Sequence, residues 1–232
     1  MKVKAIITGA SGMVGEGVLY ECLQHSDVEE VLVIGRRSCG YIHPKLKEIV
    51  HADMYNLTSI EDQLEDYNAC FFCLGMSSVG VKEPEFTKVT YDLTMHFATT
   101  LSKLNPEMTF CYVSGRGTNE TGKLMWQKVK GKTESDLMKL PFKQVYNFRP
   151  GVIKATKGLK HILPLYKWLS WMLPIINTIA PKSVVTLKQI GDAMINATTK
   201  GYEKKILEVK DIIVLSNPLS PYRGDLDYIF LC

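Results

Sequence analysis

The sequence predicts an α/β fold, a doubly wound parallel sheet with a small C-terminal helical region that would act as substrate site or lid. Three observations carry that expectation. Short apolar runs alternate with helical patterns through the N-terminal two-thirds, and strict strand–helix alternation favours parallel strands joined by crossover helices. The runs "AIIT", "VLVIG", "ACFF" and "TFCYV" lack polar alternation, as strands buried on both faces do. The first run leads straight into glycine-spaced chain and a helical pattern, "TGASGMVGEGVLY".

Taken in order, "KVKAIITG" is the first strand, "MVGEGVLYECLQ" a helix and "EEVLVIGR" the second strand. "KEIVHADM" is the third strand, with a short helix at "TSIEDQLED". "NACFFCLG" follows as the fourth, and "EPEFTKVTYDLTMHFATTLSKL" as one long helix. "MTFCYVSG", the helix within "GKLMWQKVKGKTESDLMKL", and "KQVYNFRPG" complete the series. Residues 1–155 therefore carry the alternation. Residues 156–215 add a helical portion and a last strand of the same domain, with one clear helix near 186–199 whose Leu187, Ile190, Met194 and Ile195 share a face. Residues 216–232 fit no element and stay unassigned. The apolar stretch 159–180 is cut by lysines, a histidine and prolines, which argues against a membrane span. It reads as core packing, a lid or a surface for a homo-oligomer.

Composition narrows the classes further. A net charge of +4 with scattered basic residues gives no nucleic-acid face. The six cysteines, at 22, 39, 70, 73, 111 and 232, have no disulfide-framework spacing. Cys70 and Cys73 lie on opposite faces of one strand, so they cannot share a metal. No His, Cys and Asp cluster has ligand spacing, and no metal is expected. Unpaired thiols, together with the absence of a leader pattern at the first residues, give cytoplasmic location as the expectation.

The glycine segment carries the chemistry. Gly9, Gly12 and Gly15 follow a strand and open a helix, the arrangement that lets a pyrophosphate approach backbone amides and the positive end of the helix. Ser11, Met13 and Val14 lie between the glycines and complete the cradle. The second strand ends in "VIGRRS" with no acid for a ribose 2′-hydroxyl. Arg36 and Arg37, with the following serine, suit a 2′-phosphate instead, so NADP(H) is favoured over NAD(H). At the end of the fourth strand, Leu74 and Gly75 would let the backbone approach the nicotinamide ribose.

The G-x-x-G-x-x-G spacing, Ser114 after "TFCYV", Lys130 in "WQKVKGKTE" and "FRPG" at 148–151 together resemble the short-chain dehydrogenase/reductase superfamily. Within it, the chain resembles the atypical members related to the Tat-interacting, NADPH-binding protein. The resemblance covers about residues 1–155 and implies an NAD(P)-binding Rossmann domain. It further implies Asp53 at the adenine edge, the Pro150 backbone beside the nicotinamide, Ser114 steadying a substrate carbonyl and Lys130 holding the ribose.

One departure is central. The family's catalytic tyrosine would stand four residues before Lys130, where this chain has Trp126, and an indole N–H does not titrate usefully. Tyr112 shares the strand side of Ser114 but lies deeper, and Tyr91 reads as packing. Arg116 is either a carbonyl-polarising or a solvated arginine. Two functions follow. One is an NADP-dependent oxidoreductase, or an epimerase-like enzyme, acting on a small carbonyl substrate, with water or a substrate group giving the proton. The other is a non-catalytic NADPH-binding sensor or scaffold.

Overall fold

The computed structural model describes residues 1–156, 158–160 and 183–217. The chain opens with β1 (Val3–Thr8), α1 (Met13–Gln24), β2 (Val28–Gly35) and β3 (Leu46–Val50). A 3-10 turn at Thr58–Gln63 precedes β4 (Ala69–Phe72), and α2 (Glu83–Thr87) and α3 (Leu93–Leu104) follow. Next come β5 (Thr109–Val113), α4 (Met125–Leu137), β6 (Gln144–Arg149) and β7 (Val152–Lys154). Beyond residue 182 lie β8 (Val184–Thr186), α5 (Leu187–Lys200), β9 (Ile206–Glu208) and α6 (Val209–Leu215).

Seven strands form one sheet in the order β3-β2-β1-β4-β5-β6-β9, and every pairing in it is parallel. The predicted doubly wound α/β fold is what the chain forms. Each inner strand splits its apolar side chains between two cores. Ala5 and Ile7 face the core that α1, α5 and α6 cover, while Ile6 faces the core closed by α3, α4 and the 3-10 turn. In β5 the same alternation sends Cys111 one way and Phe110 and Tyr112 the other. Phe72 anchors the second core, edge-on to Phe97 at 5.7 Å and stacked on Phe110 at 5.9 Å. A buried phenyl of this kind contributes about 1.5–3 kcal/mol.

Strand order grows outward from β1 in both directions, through β2 on one side and β4 on the other. Such a reversal leaves a crevice at the carboxyl ends of the two strands, where ligands of open α/β sheets bind.

Three expectations are refined. β3 is an exposed edge, with only Leu46 and Ile49 half-buried. Its Lys47 reaches Glu30 on β2 at 2.8 Å, and charged side chains suit an unpaired edge. The long helix 83–104 is interrupted by a π turn at Lys88–Asp92. The closing helix falls where its apolar face predicted, capped by Thr186, whose hydroxyl accepts from the Gln189 amide at 3.1 Å, and ended by Gly201 at φ 75. Residues 161–180 of the apolar stretch and residues 218–232 of the tail lie outside the described residues.

Candidate functional site

The turn from β1 into α1 is shaped by backbone contacts. Gly9 has φ +74, and a Cβ there would lie 2.7 Å from the Cys73 carbonyl carbon and the Leu74 nitrogen. Gly15 packs so closely on the carbonyl of Gly9 that a Cβ would overlap it. These two glycines hold the loop against β4 and α1. Gly12 differs. A Cβ there would meet only the Gly9 carbonyl oxygen, at 3.4 Å, so packing does not require a glycine.

Gly12 instead lines a cavity of about 540 Å³. Gly9 and Ser11 line it with Gly12, Arg36 and Arg37 enter from the end of β2, and Leu74 and Gly75 from the end of β4. Seven of the predicted cofactor residues thus meet at one cavity. Met13, Val14 and Gly15 stand behind it in the first turn of α1, whose leading amides have no partner within the helix. Arg36 and Arg37 are exposed. Ser38 reaches the same cavity, but its hydroxyl donates to Glu48 at 2.6 Å. Among the described residues no hydrogen bond or ion pair holds either guanidinium, whereas the serine's proton is taken.

Asp53 is exposed and does not line the cavity. Its carboxylate accepts the Tyr55 amide at 3.0 Å, while Met54 beside it is the lining residue. Val89, in the π turn, and Cys73 and Met76 line the cavity too. Sequence reading missed these apolar walls, because nothing local marks a Met or Val as facing a ligand rather than a core.

One further group was missed. Glu16 in α1 is fully buried, and its carboxylate accepts from the Tyr41 hydroxyl and the Lys160 amide, both at 2.6 Å. Burial, and then the carboxylate beside it, pushes the Tyr41 phenol well up. The acid in the first helical turn is therefore tied to the loop after β2 and to residue 160. A glutamate inside the apolar pattern "MVGEGVLY" is the signal that could have found it.

Of the predicted catalytic pair, Ser114 directly follows β5 and Lys130 lies midway along α4. Ser114 is buried, with its hydroxyl 3.0 Å from that of Thr118. Thr118 in turn donates to the Gly115 carbonyl at 2.8 Å, so the shared proton of the pair comes from Ser114. The Lys130 ammonium lies 3.5 Å from the Val113 carbonyl and 5.3 Å from the centre of the Tyr112 ring. Burial pushes it down to about 8, against the pull of the Glu134 charge. Trp126, one turn earlier, is half-buried, and its ring edge would meet a Cβ on Gly117 at 3.5 Å.

The other candidates take structural positions. Tyr112 is 1% exposed, and burial pushes its phenol well up. The Tyr91 hydroxyl donates to Asp136 at 2.7 Å. Arg116 is exposed and donates to the Ser183 hydroxyl at 2.6 Å, while its amide donates to the Pro150 carbonyl at 3.1 Å. Cys70 and Cys73 face different cores, and the five described cysteines are free thiols. Among the described residues there is no cluster that could hold a metal, and no helix is long and apolar enough to cross a membrane.

No protein-family profile matches the chain. It is 28% identical over 163 residues to the Candida glabrata protein FMP52, mitochondrial, spanning 69% of this chain and 68% of that one. Protein HTATIP2 of Rattus norvegicus is 28% identical over 149 residues, covering 63% of this chain and 61% of the relative. Among solved structures, the Bordetella bronchiseptica enzyme WbmF in complex with NAD+ superposes with a TM-score of 0.65 at 12% identity. That match covers 98% of this chain and 81% of the other, and at such identity it speaks for the fold alone.

The fold is an open parallel α/β sheet of Rossmann type, with the glycine turn at the point where the strand order reverses. The chain resembles the short-chain dehydrogenase/reductase superfamily, and its similarity to protein HTATIP2 agrees with that resemblance. The cytoplasmic expectation is corrected: several similar relatives carry the designation mitochondrial. Free thiols exclude little here, since they do not distinguish one reducing compartment from another.

Proposed function

We propose that the chain binds NADP(H) in the cavity at the β1–α1 turn and uses it to reduce a small carbonyl compound, or to act as an epimerase-like enzyme. The observation that carries this reading is Gly12. It is a glycine without a packing need, facing a cavity whose rim holds two exposed guanidinium groups. A Cβ there would project toward the space a pyrophosphate needs, and two planar forks match a 2′-phosphate better than a ribose hydroxyl.

The residues present fit such a cofactor. The turn amides and the start of α1 would hold the pyrophosphate, Arg36 and Arg37 the 2′-phosphate, and Leu74 and Gly75 the chain toward the ribose. Met54 lines the adenine end of the cavity with Asp53 beside it at the rim, and Pro150 at the nicotinamide and Lys130 at the ribose complete the proposed contacts. When bound, the nicotinamide supplies hydride chemistry. Ser114 would orient the substrate oxygen and Trp126 would wall the site. The relatives' designation supports a mitochondrial place of action, which fractionation of the native cells would test.

Titration of the purified protein with NADPH and with NADH, followed by nicotinamide fluorescence, tests the reading. Binding of NADPH at least about tenfold tighter than NADH, or about 1.4 kcal/mol, is the expected outcome. Failure to bind either would leave the glycines as a turn alone.

A second reading, a non-catalytic NADPH-binding sensor or scaffold, is favoured by one observation: the tyrosine position is occupied by Trp126. Trp126→Tyr separates the two. Reductase activity that appears only in the variant would make the natural protein a binder, whereas turnover by the natural protein would exclude the sensor.

A further inference from the structure

If the chain reduces a carbonyl, its oxygen must receive a proton, and the side chains at the β5–α4 end differ in whether they can give one. Trp126 holds its N–H without useful acidity. Ser114 directs its proton to Thr118, whose own goes to the Gly115 carbonyl. The Tyr112 ring lies wholly in the core. Arg116 is committed to the Ser183 hydroxyl, to which it donates.

Lys130 is the remaining group, and its surroundings are unusual for an ammonium. It has three N–H donors, yet among the described residues its one hydrogen bond is to the Val113 carbonyl at 3.5 Å, the limit of such a bond. Glu134, one turn on, is taken by Arg149, which donates to it from Nε at 3.0 Å and Nη2 at 2.5 Å. On β5 the facing group is the Tyr112 ring, and on α4 Trp126 precedes it by one turn. From the helix opposite, Tyr91 turns its hydroxyl to Asp136. No carboxylate among the described residues therefore neutralises this lysine directly. Val113 ends β5 next to Ser114, and Cys73 to Gly75, just past the end of neighbouring β4, line the cofactor cavity.

We propose that Lys130 is itself the proton donor, in place of the missing tyrosine. As hydride from a reduced nicotinamide reaches the carbonyl carbon, the C=O π pair moves onto oxygen. One Nζ–H bond breaks and an O–H bond forms, leaving an alcohol and a neutral amine that solvent reprotonates. The assignment rests on the cofactor reading above and names the acid which that reading left open. Desolvation brings the lysine near the pH at which a general acid works best.

The first readout needs no cofactor. In protein labelled with 15N-lysine, the Lys130 ammonium, assigned by its absence from the Lys130→Arg spectrum, should titrate near pH 8. Titration with the surface lysines above pH 10 overturns the proposal. The second readout is NADPH-dependent reduction of a panel of small aldehydes and ketones between pH 6 and 10. The natural protein should lose rate as pH rises through the lysine's titration. Lys130→Arg, which keeps the charge but cannot release the proton, should lose turnover at saturating NADPH by about 100-fold or more. An arginine variant that keeps turnover, or the same high-pH loss, overturns the donor role. So does a natural protein that binds NADPH and reduces nothing, an outcome that leaves the cofactor site standing. Absence of NADPH binding would instead remove the cofactor reading, and the donor role with it.

Discussion

At the β1–α1 end of the crevice the backbone makes the site, whereas at the β5–α4 end side chains do. The first end is built from glycines whose missing Cβ atoms allow Gly9 to touch β4 and Gly15 to touch Gly9. Its geometry is fixed by covalent chain and tight contact. The second end depends on hydroxyl and ammonium groups whose partners come from separate elements, Ser114 with Thr118 and Lys130 with Val113. A backbone site tolerates few changes of residue but needs no titratable group. A side-chain arrangement can vary at one position and keep its neighbours: Trp126 stands one turn before Lys130, and Ser114 and Thr118 remain paired.

The sharpest way to break this comparison is to add one methyl group at each kind of glycine. Gly15→Ala would press a Cβ 2.5 Å from the Gly9 carbonyl carbon and 2.9 Å from the Ala10 nitrogen, both backbone atoms. Overpacking against backbone should destabilise the fold by about 3 kcal/mol, read by urea denaturation. A loss below about 1 kcal/mol would mean that the turn relaxes freely and is not the rigid frame described.

Gly12→Ala should behave in the opposite way. Its Cβ finds only the Gly9 oxygen at 3.4 Å, so stability should fall by no more than about 1 kcal/mol, the size of an N-cap change. NADPH affinity should fall by about tenfold or more, or 1.4 kcal/mol, in the same fluorescence titration. Unchanged affinity would show that the cavity face of the turn does not carry the phosphates.

The contrast also explains what could be read from the sequence. Gly9, Gly12 and Gly15 were legible because a backbone cradle lies within one stretch of chain, and Arg36 and Arg37 because they directly follow an apolar strand. The alternation of apolar runs revealed the parallel sheet for the same local reason. The Glu16–Tyr41 bond joins residues 25 apart, and Arg149 meets Glu134 across a strand and a helix. Such pairs depend on how elements dock, which no local spacing encodes. β3 was legible as a strand, but that "LKEIV" lies at the sheet edge with its apolar residues largely unburied depends on strand order, which local sequence does not encode.

The last predicted effect concerns the side-chain end and reverses the usual sign. Lys130 ionises at about 8 in the fold, below its ordinary 10.5, because burial disfavours the charge. Below pH 8 both folded and unfolded chains hold the proton, and the fold bears the full desolvation penalty. Between the two values the unfolded chain binds more protons, so stability rises with pH, and above 10.5 the penalty is gone. Lys130→Met removes the charge while keeping a flexible apolar stem. Discounted for partial exposure, it should stabilise the protein by about 1–2 kcal/mol at pH 7, with the gain shrinking toward zero by pH 10.5. Urea denaturation at the two pH values reads the difference. A methionine variant that is less stable at pH 7 would mean that the ammonium holds the β5–α4 junction together, so that its position is structural and the penalty inferred from its burial does not exist.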